Sequence, residues 1–183
     1  MSTLAIDTIQ GATTATSVNM SGVTNLQMPA GHVLQTIAQN ADGAFASSST
    51  SWVNTGLISL TFPNNLQATS KVLVRIHLTF GEEANSSWAN RSSFTIFENS
   101  TNKGDDSLGI VNGSAHHQGN SNTTYETARV TGEELFTPSV LNGTYALYFR
   151  ANVSFARAIG RPNTDNASYS DGKTQVVLQE IAG

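Results

Sequence analysis

Apolar and polar residues alternate along most of the chain after residue 31. The clearest stretch is KVLVRIHLTF, residues 71–80. A period of two is typical of a strand that buries one face and exposes the other. We therefore predict a half-buried β-strand here, with the apolar residues Val72, Val74, Ile76, Leu78 and Phe80 on one face and Arg75, His77 and Thr79 on the other.

The same period recurs in GTYALYFRANVSFARAI, residues 143–159, where weak helix formers and the apolar spacing argue against a helix. Gly-, Asn-, Asp- and Ser-rich segments separate such runs and are predicted to be loops. Several short strands without a helical pattern indicate an all-β fold, an antiparallel β-sandwich of jelly-roll-like type. The other predicted strands span 32–38, 52–62, 93–98, 124–131 and 173–182, and the predicted loops span 41–51, 99–122 and 160–172.

Residues 1–31 form a segment of different character, which we call the arm. Its apolar residues are isolated, so they bury too little surface to offset roughly 1–2 kcal/mol of backbone entropy per ordered residue. The arm is therefore expected to be ordered only against another chain. A flexible leader is the alternative, but regular apolar spacing favours a docking arm followed by a sandwich domain over 32–183. The predicted docking residues are Ile6, Ile9, Val18, Val23 and Met28.

Composition narrows the class of protein. Of 183 residues, 38% are hydrophobic and only 12% are charged, about half the usual charged share. Ser, Thr and Asn together make up about a third. A surface of neutral polar groups suits a durable extracellular or particle-surface protein. The net charge of −4, without clustered Lys or Arg, argues against nucleic acid as a partner.

Cysteine is absent, so neither disulfides nor thiolate metal sites are expected. The stretch MSTLAIDTIQGATTATS lacks the basic and apolar regions of a signal peptide. No stretch approaches the roughly 20 apolar residues of a membrane span, so membrane insertion is not expected.

The order of several motifs resembles that of a known group of proteins. MPAGHVLQ ends the arm, SWVNTGL and TSKVLV follow, and TPSVLNGTYALYFR precedes VVLQEIAG at the C-terminus. Together these resemble the tail-fibre and virion-surface β-domains of tailed bacteriophages, especially those of marine and cyanobacterial hosts. Members commonly carry an Asn-Arg step before the final loop, whereas this chain has Gly160-Arg161-Pro162-Asn163 there, so no role is transferred to those residues.

The resemblance implies a structural virion protein, often a homotrimer, that is assembled in the bacterial host cytoplasm and located on the virion surface. The arm would then bind other virion proteins. Two functions fit this description. One is a tail fibre or adhesin-type component that projects its sandwich toward the host, and the other is a capsid-decorating protein whose arm clamps shell subunits.

Sequence chemistry does not favour an enzyme. The acidic pairs Glu82-Glu83, Asp105-Asp106 and Glu133-Glu134 consist of neighbours, which point to opposite faces of an extended chain and cannot act as convergent acid and base. They are expected to be solvated loop charges. A glycan depolymerase is a third alternative that would require turnover on host glycan. No cofactor is predicted.

Recognition of a host cell-surface glycan or protein is the more plausible activity. Trp88 and Tyr169 lie in predicted loops rich in Asn and Ser, which suit adaptable polar contacts, although either ring could instead cover the core edge. The pair His116-His117 also lies in a predicted loop, and the predicted receptor-contact residues are Trp88, His116, His117 and Tyr169. In a trimer its copies could meet around the axis and bind a transition metal. An exposed loop is the preferred interpretation, and no metal is predicted.

Overall fold

The computed structural model describes residues 29–43, 45–82, 92–113, 126–151, 157–159 and 173–183. Within these ranges the regular structure is entirely β, and every strand pair is antiparallel, which confirms the predicted all-β sandwich. The arm residues 1–28 lie outside the described ranges. The strands are β1 (Val33–Ala41), β2 (Phe45–Ser47), β3 (Val53–Thr61), β4 (Lys71–Glu82), β5 (Ser92–Glu98), β6 (Thr101–Asn102), β7 (Val111–Gly113), β8 (Glu126–Phe136), β9 (Thr144–Ala151), β10 (Arg157–Ile159) and β11 (Thr174–Ile181).

Strand β4 is the centre of the first sheet, which we call sheet A. On one side β8 pairs with it from Val72 to Glu82. On the other side β11 pairs with residues 71–77 of β4, and β10 pairs with residues 80–82. Strands β1 and β2 complete the sheet by pairing with β11 and β10. The long alternating segment predicted from the sequence therefore has partners along both of its edges.

The second sheet, sheet B, is built around β9 and β5. Strand β9 pairs with β3 on one side and with β5 on the other. Strands β6 and β7 both pair with the far side of β5. A two-residue turn, Asn99-Ser100, joins β5 to β6, and Asn99 has a φ of 54°. Asparagine tolerates this left-handed conformation better than most residues, which favours a tight hairpin at this position.

The core lies between the two sheets and follows the predicted alternation. All five apolar residues of the predicted β4 face are buried, whereas Arg75 and His77 on the other face are exposed. Side chains of β9 and β5 fill the opposite wall. Burial of each such side chain contributes about 1.5–3 kcal/mol, so this layer supplies most of the stability. The buried residues of that wall are Tyr145, Leu147, Phe149, Phe94 and Ile96.

Several predicted boundaries differ from the structure, and the predicted strand segment 143–159 is divided between β9 in sheet B and β10 in sheet A. The predicted loop 41–51 contains the short strand β2, and the predicted excursion 99–122 contains β6 and β7. Strand β8 continues to Phe136, five residues beyond its predicted end. These short or polar strands form because a neighbouring strand offers unpaired backbone groups, a tertiary effect that overrides local composition.

One end of the sandwich, which we call the arm end, holds residues 29–32 and the C-terminus. The Gly31 amide donates to the Ala182 carbonyl oxygen at 2.8 Å, and the Ala182 amide donates to the His32 carbonyl oxygen at 2.8 Å. The β3–β4 and β8–β9 connections meet at the same end, where the Leu66 amide donates to the Leu141 carbonyl oxygen at 2.8 Å. The chain therefore enters the sandwich beside the point where it ends.

The opposite end, which we call the loop end, is where β4, β7 and β9 finish and β5, β8 and β10 begin. Their terminal residues are in register, since Glu82 pairs with Glu126 in sheet A and Ser92 pairs with Gly113 and Ala151 in sheet B. Strand β4 has 12 residues, so the two ends are about 36 Å apart at 3.3 Å per residue. Strand direction thus separates the two ends by the full length of the domain.

Candidate functional site

A groove lies on the outer face of sheet A, between β4 and β8. His77 and Thr79 occupy the positions of β4 that alternate with its buried apolar residues. The register places Thr131 directly opposite His77 and Arg129 directly opposite Thr79. Directly opposed residues of antiparallel strands share one face, with Cα atoms about 4.5–5.5 Å apart. The four side chains therefore form a compact polar set.

Lys173 closes the other side of this groove. Gln175 of β11 pairs with His77, so Lys173, two residues earlier in the chain and just before β11, lies level with Thr79. Arg129 and Lys173 thus flank Thr79 from opposite sides of β4. Two strand spacings separate them, or about 10 Å of backbone.

The groove is open to solvent and has a volume of about 370 Å³. That volume lies at the lower end of the range of small-molecule sites, about 300–1,000 Å³. Thr79 lies at the floor and is only 7% exposed, whereas His77, Arg129 and Lys173 are exposed at the rim. The lining residues are His77, Leu78, Thr79, Arg129, Val130, Thr131 and Lys173.

Among the described residues, the charged side chains that line the groove are cationic. The nearest ion pair on this face joins Arg75 Nε to Glu133 Oε2 at 3.2 Å, one step along the strands toward the arm end. In the described part of the chain no carboxylate is paired with Arg129 or Lys173. Guanidinium and ammonium groups only donate hydrogen bonds, so the site is suited to an acceptor or an anion.

Amide side chains extend this polar face across β11 and β1. Gln175 Nε2 donates to Asn40 Oδ1 at 2.8 Å, and Gln179 Nε2 donates to Thr36 Oγ1 at 3.4 Å. Gln175 lies beside His77 in the register, so the amide row is continuous with the groove. The outer surface of sheet A therefore carries a row of hydrogen-bonding side chains beside the groove.

Part of the outer face of sheet B is covered by the β6–β7 connection of the same chain. Trp52 Nε1 and Arg150 Nη1 both donate to the Asp106 carbonyl oxygen, at 3.0 and 3.1 Å. Phe97 stacks on Tyr148 with ring centroids 4.0 Å apart. These contacts hold the β6–β7 connection, residues 103–110, against the sheet. We interpret this aromatic cluster as structural.

None of the predicted contact residues lies in the described part of the chain. Trp88 falls within 83–91, His116 and His117 within 114–125, and Tyr169 within 160–172. The predicted arm residues Ile6, Ile9, Val18, Val23 and Met28 lie outside the described ranges as well. Their roles remain predictions.

Two carboxylates of the acidic pairs, Asp105 and Glu133, make contacts in the described part of the chain. The prediction that the pairs lie in loops is wrong for Glu133-Glu134, which belong to strand β8. Asp105 Oδ1 accepts hydrogen bonds from the Leu108 and Ser107 amides at 2.7 and 2.8 Å, and these bonds hold the pKa of Asp105 below its usual range. Glu133 pairs with Arg75. Neither carboxylate converges on a second one.

Sequence reasoning recognised the exposed position of His77 but not the groove around it. Arg129, Thr131 and Lys173 come from two other parts of the chain, and only the β4–β8 and β4–β11 registers bring them beside His77 and Thr79. Alternation identifies which residues of one strand share a face, but it does not identify the partner strand.

No family model and no curated protein sequence matches this chain. Among the described residues, no group of three or more His, Cys, Asp or Glu side chains is placed to hold a metal ion. The described part also contains no helix long and apolar enough to cross a membrane.

Proposed function

We propose that this chain is a structural protein on the surface of a tailed phage, a tail fibre or adhesin-type component that presents its β-sandwich to the host. The observation that supports the proposal is that the arm and the segments with the predicted contact residues connect to opposite ends of the sandwich. The arm joins the sandwich at one end, beside the C-terminus. Segments 83–91 and 114–125, which contain Trp88, His116 and His117, connect strand ends at the other.

This arrangement suits a module attached at one end and engaged at the other. The arm would dock onto other virion proteins and join copies of the chain into a homotrimer. The groove also suits this arrangement. His77 and Thr79 lie in the half of β4 nearer the loop end, about 20 and 26 Å of strand from Lys71 at the arm end. A host-surface glycan or protein approaching the loop end would therefore meet both the groove and the connecting segments.

Counting the protein in purified particles tests the proposal. Quantitative mass spectrometry should find a few copies per particle, and antibody labelling viewed by electron microscopy should place them on the tail. Hundreds of copies over the head would identify a decoration protein instead. Absence from purified particles would contradict a virion role altogether.

Deletion of residues 1–27 tests the role of the arm. The shortened chain should still fold, because the described core begins after residue 31, but it should no longer join the particle or form trimers. Light scattering and particle incorporation report the two losses separately. Normal incorporation of the shortened chain would contradict a docking role.

A further inference from the structure

The groove concentrates positive charge in a chain that has little of it. The sequence contains 9 Lys and Arg against 13 Asp and Glu. Two of those nine, Arg129 and Lys173, lie on opposite sides of Thr79, and neither is neutralised by a carboxylate within the described residues. A concave site lined by one sign of charge focuses the field and raises the local concentration of ions of the opposite sign.

We propose that this groove binds an anionic sugar residue, one that carries a carboxylate or a sulfate, within a host-surface polysaccharide. This inference rests on the proposed role in host recognition and names the class of ligand. The Arg129 guanidinium can donate two parallel hydrogen bonds to a carboxylate or sulfate. Lys173, on the opposite side of Thr79, supplies a second cationic donor.

Neutral polar groups in the groove complete the match to a sugar. Thr131 and His77 stand opposite each other, one step along the strands from Arg129 and Thr79. Their hydroxyl and ring nitrogens can donate to and accept from sugar hydroxyls. About 10 Å separates the two cationic positions, enough for one sugar ring between them. The adjoining amides of Gln175 and Asn40 would then contact the next residue of the polysaccharide.

The experiment uses the full chain and immobilised polysaccharides in biolayer interferometry. Polygalacturonate presents carboxylates, dextran sulfate presents sulfates, and dextran is the neutral counterpart of the latter. We expect binding to at least one acidic polymer and none to dextran. The double variant Arg129→Gln/Lys173→Gln should bind at least roughly tenfold more weakly, because two charge-assisted contacts are lost.

A matched control separates the groove from the overall charge. Lys71→Gln/Arg75→Gln removes two cations from the same face of β4, nearer the arm end, and should retain binding within about twofold of the original chain. Thr131→Val removes a hydroxyl without changing the charge, and it should weaken binding to the acidic polysaccharide several-fold. All of these side chains are exposed, so each variant should unfold at the same temperature as the original chain.

Failure to bind either acidic polymer would overturn the assignment, and so would three other outcomes. One is equal weakening by the groove and control variants, which would indicate general charge attraction. Another is binding to dextran as tight as binding to the acidic polymers. A third is binding to a DNA duplex as tight as to the acidic polymers. None of these changes the copy number or tail location of the protein in particles, so failure of the ligand assignment is distinguishable from failure of the proposed function.

Discussion

Lys103 Nζ lies 2.6 Å from Glu98 Oε2, and both side chains are almost completely buried, 6% and 1% exposed. Glu98 also accepts hydrogen bonds from the Ser139 amide at 2.7 Å and from the Tyr145 hydroxyl at 3.1 Å. The Lys103 ammonium stands 5.3 Å from the centre of the Phe136 ring. The pair therefore joins the β5–β6 hairpin to β8, β9 and the connection between them.

Removing the cation of this pair should make the protein sensitive to acid. Burial raises the pKa of Glu98, but hydrogen bonds from Lys103 and Ser139 outweigh burial and hold the pKa below the ordinary value of 4.5. The ionised carboxylate thus stabilises the fold above about pH 4.5, and this contribution is lost as the pH falls through the lower folded value. In Lys103→Met, only the remaining hydrogen bonds oppose the effect of burial on Glu98. The pKa of Glu98 should therefore rise.

The expected result for Lys103→Met is a loss of about 3–5 kcal/mol in the free energy of unfolding at neutral pH. Acid unfolding should also begin at a higher pH than in the original chain. Circular dichroism across a pH titration measures both effects. Lys71→Met, which removes an exposed cation, is the control and should leave both unchanged. An acid midpoint for Lys103→Met equal to that of the original chain would show that the ion pair has no such role.

Gly109 should not tolerate a side chain. Its φ is +69°, and a Cβ there would collide with the Phe94 carbonyl oxygen and lie 2.9 Å from Trp52 Cη2. Gly56 has a φ of +67° with nothing within 4 Å of its Cβ position, so it provides a matched control. Gly56→Ala should cost about 1–2 kcal/mol from the left-handed backbone alone. Gly109→Ala should cost clearly more in urea unfolding, and equal costs would rule out the predicted collision.

Trp52 should control the motion of the β6–β7 connection. Trp52→Phe removes the hydrogen bond to the Asp106 carbonyl oxygen, at a cost of about 1 kcal/mol. The backbone amides of Gly109 and Ile110, which donate to Asp105 and Phe94, should then exchange faster with deuterium. Hydrogen-exchange mass spectrometry of peptides covering 103–110 tests this. Tyr148→Phe, which keeps the neighbouring ring, is the control and should leave exchange unchanged. Unaltered exchange in Trp52→Phe would contradict the role of the indole.

Glu180 is a buried carboxylate. The cost of replacing it should depend on whether the new side chain can accept the same hydrogen bonds. Its Oε1 accepts hydrogen bonds from the Gln67 backbone N–H and the Ser70 hydroxyl, both at 2.7 Å. Its Oε2 accepts a hydrogen bond from Gln35 Nε2 at 2.6 Å. Within the described part of the chain, Gln35 Oε1 is buried and has no hydrogen-bond partner. In Glu180→Gln, the new side chain can keep Oε1 in place and donate from its nitrogen to Gln35 Oε1 once the Gln35 side-chain amide turns over. That turn gives up the hydrogen bond from Gln35 Nε2 to the Asn64 carbonyl oxygen.

Glu180→Gln should therefore cost only about 1 kcal/mol. Glu180→Leu leaves three donors near an apolar side chain and should cost about 3 kcal/mol or more. Urea unfolding of the two variants shows whether the destabilisation comes from lost hydrogen-bond acceptors or from the lost negative charge. Equal destabilisation by both substitutions would favour loss of charge.

The sequence predicted the parts of the fold that depend on one strand at a time. Alternation identified the buried face of β4, and the apolar positions of β9 were equally clear. It did not predict β2, β6 or β7, because strands of two or three residues exist only where a neighbour pairs with them. Glu98 and Lys103 also gave no signal, since charged residues near a turn are usually exposed and burial of this pair depends on Phe136 and Tyr145.

The candidate site was less predictable than the fold. The groove combines Thr79, Arg129 and Lys173, whose proximity depends on two strand registers. The contact and arm residues predicted from the sequence lie outside the described ranges, so they remain predictions. Recognition through the loops stays a prediction from their composition, whereas the groove on the face of sheet A became visible only in the structure.

The separation of the arm end from the loop end has a mechanical consequence. A force applied between the two ends would act along the strand direction. Hydrogen bonds between antiparallel strands run perpendicular to the strands, so such a force loads many of them at once in shear rather than breaking them one after another. Strand β4 is paired on both edges and would carry much of that load. The domain should therefore resist stretching along this axis better than peeling of β1 from the edge of sheet A.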